Sequence, residues 1–227
     1  MADALATSRN ALLAGATGLV GRALLPMLLA SNHYLSVHVL LRRTPLDIKA
    51  SAKLKVHQVD FAHLPEAFPT VEDVFIALGT TIKVAGSEAA FRRVDFDFVV
   101  NTARAARAAG ATRLAVVSAL GADTKSRVFY NRVKGEMQIA ILRLGYVTVV
   151  IAQPSMLLGD RTALGQPGRS GEIWAARLLG PLGLIVPKAV RPIPARAVAS
   201  ALLAAMLDAK PGLHILKSGA MQPRDEP

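Results

Sequence analysis

Short apolar runs of about five residues alternate along the chain with longer segments in which apolar residues recur every three or four positions. The short runs are typical of buried strands, and the longer periodicity is typical of helices. Their regular alternation predicts an α/β fold, namely a Rossmann-type doubly wound parallel sheet with helices on both faces. The predicted strands are 11–14, 35–41, 54–58, 73–77, 114–118 and 147–151.

Helices are predicted in the gaps between these strands, at 19–30, 87–109, 129–144, 172–179 and 195–209, with a short strand at 214–216 after the last one. The composition changes after Ser155, because residues 157–194 are rich in Gly, Pro and Leu. This predicts a substrate-covering flap over 155–194, or a small subdomain, rather than further sheet. The length of 227 residues favours one domain over 1–227 that includes this flap.

Composition narrows the class of protein. An apolar fraction of 52% indicates a globular chain, and the absence of cysteine excludes disulfides and thiolate metal sites. A reducing compartment suits such a chain, and the expected location is cytoplasmic. The five histidines are scattered without metal-ligand spacing, so no metal site is expected.

The net charge of +11, from 27 basic and 16 acidic side chains, could indicate an anionic partner. The basic residues are spread evenly, however, and aromatic residues make up only 5% of the chain. This argues against a nucleic-acid platform, and we expect the charge to serve solubility and a few phosphate contacts. The longest uncharged segments are short of the ~20 apolar residues of a spanning helix, so no integral membrane segment is expected, whereas a peripheral contact stays open.

A glycine-rich loop follows the first predicted strand and opens the first predicted helix. Its residues are Gly15, Ala16, Thr17, Gly18, Leu19, Val20 and Gly21. In a dinucleotide site Gly15 permits the tight turn, Gly18 lets backbone amides approach the pyrophosphate, and Gly21 lets the helix pack closely on the strand. The alternative is a glycine-bearing turn without a ligand.

Two arginines, Arg42 and Arg43, end the second predicted strand, where a chain selective for NAD commonly carries an acidic residue. A guanidinium fork suits a 2′-phosphate, so the expected cofactor is NADP(H), with Arg22 as a further candidate contact. The alternative is a solvated basic turn.

Further cofactor contacts are expected where the third and fourth strands end. Asp60 and Phe61 could bracket the adenine ring, and the small residues around Leu78, Gly79 and Thr80 would allow close approach to the ribose. A turn role for Asp60 and a loop-capping role for Thr80 are equally open.

Tyr130 and Lys134 lie one helical turn apart, twelve residues after Ser118 at the end of a predicted strand. Residues four apart share a helix face, so the ammonium can lie beneath whatever the phenol touches and favour its phenolate form. Tyr130 would then act as a general acid/base, and the Ser118 hydroxyl would hold a substrate oxygen. The alternative is an ordinary surface pair, because this spacing arises by chance in many chains.

Taken together and in this order, these motifs resemble the short-chain dehydrogenase/reductase superfamily, and within it the atypical branch of Tat-interacting-protein-like oxidoreductases and their bacterial relatives. Beyond the glycine loop, the likeness rests on Leu78-Gly79-Thr80-Thr81-Ile82-Lys83, Ala85-Gly86-Ser87, Val94-Asp95-Phe96-Asp97, Val117-Ser118-Ala119-Leu120-Gly121-Ala122 and Phe129-Tyr130-Asn131-Arg132-Val133-Lys134-Gly135-Glu136. It covers roughly residues 10–209.

The resemblance implies NADP(H) as the cofactor and Ser118, Tyr130 and Lys134 as the catalytic set, with Lys134 also on the nicotinamide ribose. It further implies cofactor contacts from Pro154 and Ser155 and a proton relay through Asn101. Two positions depart from the pattern. Gln153 stands where many relatives carry arginine, which removes a fixed cation, and Asp95 stands where related extended enzymes carry asparagine, so no catalytic role is assigned to it.

The leading hypothesis is therefore an NADP(H)-dependent oxidoreductase acting on a small or medium carbonyl compound or alcohol. The alternative is an NADP(H)-binding redox-sensing regulator or scaffold without significant turnover. A sugar-nucleotide epimerase is less favoured, because only about 70 residues follow Ser155 to form a substrate domain. The helix 129–144 could present a homodimer face, but Ile139, Ile141 and Leu142 are equally candidates for the core.

Overall fold

The computed structural model describes residues 9–43, 50–159, 187–208 and 210–223. Its strands are β1 Arg9–Ala14, β2 Tyr34–Leu41, β3 Leu54–Gln58, β4 Asp73–Ile76, β5 Arg113–Val117, β6 Thr148–Gln153, β7 Leu157–Leu158, β8 Ile193–Pro194 and β9 Gly212–Lys217. Its helices are α1 Leu19–Ala30, α2 Ile82–Ala85, α3 Glu88–Arg92, a π-helical segment Arg93–Phe98, α4 Val99–Ala108, α5 Phe129–Leu142, α6 Ala195–Asp208 and α7 Ser218–Met221.

The main sheet has seven parallel strands in the order β3-β2-β1-β4-β5-β6-β9. The chain builds outward from β1 through β2 and β3, then returns to place β4 on the other side of β1. This reversal opens a crevice between the carboxyl ends of β1 and β4, which is where doubly wound sheets bind ligands. The predicted Rossmann-type doubly wound α/β fold is confirmed.

Side chains of the central strands are buried on both faces of the sheet. In β1, Leu13 contributes to a core under α1 and α6, whereas Leu12 contributes to a core under α4 and α5. This follows from the period of two along a strand, and it explains why the sequence shows continuous apolar runs rather than alternation. In α5, Ile141 is fully buried, while Ile139 and Leu142 are 42% and 38% exposed. The homodimer stays a prediction.

The six main strand predictions agree with the structure to within one or two residues, and the predicted strand 214–216 is the centre of β9. One expectation was wrong, because part of the segment 157–194 does form sheet. There β7 and β8 pair in parallel, and the Ile193 amide donates to the Met156 carbonyl at 2.9 Å. The predicted helix 172–179 lies outside the described residues. None of the helices in the described ranges is long and apolar enough to cross a membrane.

The predicted helix 87–109 is interrupted in its middle. Ser87 caps α3 by accepting the Ala90 amide at 3.1 Å, and the π-helical segment then widens the helix before α4 begins. A π turn holds one more residue than an α turn, so it changes which side chains face the sheet, and such turns are frequent at functional sites. Here the residue that becomes buried is Asp95, at 1% exposure.

Candidate active site

A cleft of about 530 Å³ lies at the carboxyl edge of the sheet, where the loops after β1, β4, β5 and β6 meet α5. It brings together most of the predicted site residues. Its walls include Gly18, Leu19, Val20, Leu78, Gly79, Thr80, Ser118, Tyr130, Lys134, Pro154 and Ser155. Residues that are more than a hundred positions apart in the sequence therefore face one space.

The three glycines of the first loop have different roles in the geometry. A β-carbon on Gly15 would lie 2.5 Å from the Ala77 carbonyl carbon, and one on Gly21 would lie 2.0 Å from the Gly15 carbonyl oxygen. A β-carbon on Gly18 would have no atom closer than 3.5 Å. Gly18 precedes α1 and makes no side-chain cap to it. The first amides of α1 are thus open to the cleft, which fits a phosphate at a helix N-terminus.

Besides Gly15 and Gly21, five predicted cofactor contacts do not line this cleft, namely Thr17, Arg42, Arg43, Asp60 and Phe61. Arg42 and Arg43 are exposed directly after β2, and Thr17 is exposed with its carbonyl accepting a hydrogen bond from Arg22 Nε at 3.2 Å. The Phe61 ring is only 3% exposed and stacks on Phe98 at a centroid distance of 5.9 Å. This geometry gives the Phe61 ring a place in the core.

Asp60 has the contacts of a turn residue. Its Oδ1 accepts the Ala62 amide at 2.9 Å and its Oδ2 lies 3.1 Å from His63 Nδ1. The hydrogen bond from Ala62, followed by that from His63, holds the pKa of Asp60 below its usual value. The capping role considered for Thr80 belongs to its neighbour Thr81, because Thr81 Oγ1 accepts the Val84 amide at the start of α2.

Lys134 forms a buried ion pair that the sequence did not indicate. Its Nζ lies 2.7 Å from Asp95 Oδ1, and the two side chains are 4% and 1% exposed. The other carboxylate oxygen of Asp95 accepts the Thr80 amide at 2.8 Å. The π-helical segment thus aims Asp95 into the site. The signal for this in the sequence was a charged residue among apolar residues of an amphipathic helix.

Burial by itself would lower the pKa of Lys134, but the charges of Asp95 and Tyr130 and the hydrogen bond to Asp95 outweigh it, so the pKa of Lys134 is raised. The lysine therefore stays an ammonium at neutral pH. Gly79 leaves room for the pair, because a β-carbon there would lie 3.3 Å from Asp95 Oδ1. Tyr130, one turn before Lys134, packs against the Phe91 ring at a centroid distance of 5.3 Å.

Ser118 directly follows β5, and its amide extends the ladder by donating to the Ala152 carbonyl at 2.7 Å. Its side chain is 3% exposed, and its Oγ accepts a hydrogen bond from Gln138 Nε2 at 2.5 Å. Gln138 was missed at the level of the sequence. Its spacing was the available signal, because Tyr130, Lys134 and Gln138 recur every four residues along one face of α5.

Pro154 and Ser155 border the cleft after β6, but the Ser155 side chain is engaged in structural contacts. Its Oγ donates to the Arg191 carbonyl at 2.5 Å, and its amide donates to Ser218 Oγ at 3.1 Å. Asn101, considered for a proton relay, lies along a different groove, where its Oδ1 accepts from Arg104. Among the residues that the structure describes, no group of three or more His, Asp or Glu side chains could hold a metal ion.

Comparison with known proteins decides the family. A family model described as NAD(P)H-binding matches residues 15–148, which is more than half of the chain. The chain is also 35% identical over 180 residues to protein HTATIP2 of Rattus norvegicus, with 77% of this chain and 72% of that protein covered. It belongs to the atypical short-chain dehydrogenase/reductases.

A second relative of this family is the mitochondrial protein FMP52 of Candida albicans. It is 34% identical over 152 residues, with 65% of this chain and 66% of that protein covered, so the chain spans just under two thirds of its length. The Bordetella bronchiseptica enzyme WbmG in complex with NAD has a similar fold. Its TM-score is 0.67 at 15% identity, over 96% of this chain and 75% of that one.

The chain thus has the NAD(P)-binding, oxidoreductase-type fold of the short-chain dehydrogenase/reductase superfamily. The residues present suit such a nucleotide. Gly15 and Gly21 form a tight loop that any side chain would fill, and Gly18 leaves the amides of α1 open to the cleft. The glycine loop would hold the pyrophosphate, and the small residues after β4 would face the adjoining ribose.

Proposed function

We propose that this protein is an NADP(H)-dependent oxidoreductase that interconverts a small or medium apolar carbonyl compound and its alcohol. The observation that carries the proposal is that Ser118, Tyr130 and Lys134 border the same cleft as Gly18 of the nucleotide loop. A proton donor, a substrate-oxygen ligand and an ammonium therefore adjoin the expected nicotinamide site.

Each residue of the set has a distinct task in carbonyl reduction. The Ser118 hydroxyl donates a hydrogen bond to the carbonyl oxygen and orients it. Tyr130 gives its phenolic proton to that oxygen, and the Lys134 ammonium stabilises the phenolate that is left behind. When bound, the nicotinamide supplies the hydride. In alcohol oxidation the tyrosine takes the proton back.

An apolar substrate is favoured by the apolar side chains that border the cleft outside the nucleotide loop. Leu120, Met156, Leu157 and Val190 border the cleft there, and apolar walls bind apolar ligands and exclude water from the reacting atoms. The choice of NADP(H) over NAD(H) rests on Arg42 and Arg43 at the end of β2, next to the expected ribose 2′ position.

The proposal is tested by titrating the purified protein with NADPH and NADH, then measuring nucleotide oxidation across a panel of apolar aldehydes and ketones. Tighter binding of NADPH and turnover that is lost in Tyr130→Phe are expected. If NADPH binds but no carbonyl is reduced, and Tyr130→Phe changes no measured property, the enzyme proposal fails. NADPH-dependent binding of a protein partner would then support the redox-sensing regulator. The cytoplasmic location and the flap over 155–194 stay predictions.

A further inference from the structure

A chain of three hydrogen bonds leads from Ser118 to Lys217 on the outermost strand of the sheet, β9. Gln138 Nε2 donates to Ser118 Oγ at 2.5 Å, Gln153 Nε2 donates to Gln138 Oε1 at 3.2 Å, and Lys217 Nζ donates to Gln153 Oε1 at 2.7 Å. The members come from the end of β5, from α5, from the end of β6 and from the end of β9. Lys217 and Gln153 do not border the cleft.

The fold places each member of the chain. The register between β6 and β9 sets Gln153 directly beside Lys217, and Gln138 lies one turn after Lys134 on the face of α5 that carries Tyr130. The end of β9 is fixed by Ser218, whose Oγ accepts the Ser155 amide at 3.1 Å. Gln153 is only 6% exposed, so water has little access to the centre of the chain.

The direction of donation along this chain is set at its lysine end. A glutamine amide can turn over and exchange its donor and acceptor ends, so two glutamines in series could point either way. An ammonium can only donate, and Lys217 therefore requires the oxygen of Gln153 to face it. Gln153 must then donate to Gln138, and Gln138 must donate to Ser118.

This direction of donation determines where the single hydroxyl proton of Ser118 can point. While Gln138 donates to its oxygen, that proton is free to point into the cleft. If both glutamines turned over, the Gln138 oxygen would face Ser118 and take this proton as its own hydrogen bond. Ser118 would then offer a lone pair to a substrate oxygen, which repels it.

We propose that Lys217 is a positioning residue that fixes the direction of the Gln153–Gln138 chain and so keeps the Ser118 hydroxyl a donor toward the substrate oxygen. The inference rests on the proposed function, in which negative charge develops on the carbonyl oxygen of the substrate. Donors in series also polarise one another, so the lysine charge strengthens the last donor in the chain. Lys217 thus acts on the reaction without touching the reacting atoms.

The first test is spectroscopic and needs no turnover. Side-chain amide signals of Gln138 and Gln153 are recorded by NMR in glutamine-labelled protein and assigned by their loss in Gln138→Leu and Gln153→Leu. We expect Lys217→Met to shift the signals of both residues, although Gln138 does not touch Lys217, and Lys217→Arg to restore them. Lys55→Met, which alters an exposed lysine on β3 at the far side of the sheet, is the control.

The second test is kinetic. Lys217→Met is expected to lower kcat about tenfold, the usual effect of losing one hydrogen bond to a developing charge, with KM for NADPH unchanged. Lys217→Arg should stay within about twofold of the native kcat, because guanidinium is also a pure donor. Gln138→Glu should match the loss in Ser118→Ala, since a carboxylate accepts the serine proton.

The outcomes separate the two proposals. If Lys217→Met leaves kcat and the Gln138 signals unchanged while Tyr130→Phe abolishes turnover, the role of Lys217 is disproved and the oxidoreductase stands. If no carbonyl compound is reduced, the proposed function fails, and the amide signals still decide whether Lys217 directs the chain. Should Gln138→Glu not fold, the exposed Lys217 substitutions carry the test alone.

Discussion

Two aspartates are buried at the amino and carboxyl ends of the sheet strands, and they show how these two edges of the sheet differ. Asp73 begins β4 at the amino edge, with 0% exposure, and accepts the Tyr34 hydroxyl at 2.8 Å. Arg9 and Arg113 lie 3.3 and 3.5 Å from its two oxygens. Asp95 faces the carboxyl edge at 1% exposure and pairs with Lys134 at 2.7 Å.

The difference lies in what the partners do besides neutralising the carboxylate. At the amino edge burial raises the pKa of Asp73 against the opposing effects of Tyr34, Arg9 and Arg113, and these partners border no part of the cleft. At the carboxyl edge the partner is Lys134, which shares a helix face with Tyr130. Similar buried carboxylates therefore serve stability at one edge and the site at the other, as expected when the crevice opens only at the carboxyl ends of the strands.

A pair of tyrosine substitutions gives the largest expected contrast. Tyr130→Phe removes the proposed proton donor and should lower kcat by about 10²–10⁴-fold with little change in the free energy of unfolding. Tyr34→Phe removes the donor to Asp73 and should cost about 1–3 kcal/mol of stability with kcat unchanged. Steady-state kinetics and urea unfolding of both variants measure this. A stability loss in Tyr130→Phe equal to that in Tyr34→Phe would remove the contrast.

The aspartates themselves are compared by Asp95→Asn and Asp73→Asn. Asp95→Asn leaves the buried Lys134 ammonium without its counter-charge, which typically costs about 3–5 kcal/mol. Asp73→Asn leaves the half-buried Arg9 and Arg113 without theirs and should also destabilise the fold. Only Asp95→Asn should also change the pH dependence of catalysis. Without Asp95, burial lowers the pKa of Lys134, so the alkaline limb of kcat/KM moves to lower pH.

The direction in which the stability of the native protein changes with pH follows from the raised pKa of Lys134. Its contribution to stability is fully present below the ordinary lysine value of 10.5 and is lost as the pH rises through the higher folded-state pKa. Unfolding measured from pH 7 to 11 in native protein and in both variants checks this. An unmoved alkaline limb in Asp95→Asn would separate Asp95 from the chemistry.

The glycine loop contains the same contrast on a smaller scale. A β-carbon in Gly21→Ala would overlap the Gly15 carbonyl at 2.0 Å, so this variant should lose stability and nucleotide affinity together. Gly18→Ala meets nothing closer than 3.5 Å, so it should fold normally and weaken only nucleotide binding. Thermal unfolding with and without NADPH distinguishes them. Equal Tm losses without nucleotide would contradict the assignment.

Arginines at the two edges give the smallest expected effect. Arg42→Ala should reduce the preference for NADPH over NADH by about tenfold, the effect of one charge-assisted hydrogen bond, without loss of stability. Arg113→Ala at the amino edge should lower stability and leave the cofactor preference unchanged. Dissociation constants for both nucleotides provide the measurement. An unchanged preference in Arg42→Ala and in Arg43→Ala would argue that their basic turn is only solvated.

The strands, most helices and the catalytic candidates could be predicted from the amino-acid sequence, because they depend on local periods. The buried parts of β1, β2, β4, β5 and β6 appear as apolar runs, and Tyr130 and Lys134 are placed together by one helical turn. The doubly wound order also followed, since alternating strands and helices leave few other solutions.

Which charges and amides meet at the site could not be predicted from the sequence, because it depends on contacts between distant elements. The π turn that buries Asp95 beside Lys134 adds a residue to a helix whose sequence pattern looks continuous. Gln153, which lacks the cation expected from the resemblance, meets an ammonium that comes from Lys217, 64 residues later. Such contacts depend on strand order and register, and no local period along the chain encodes them.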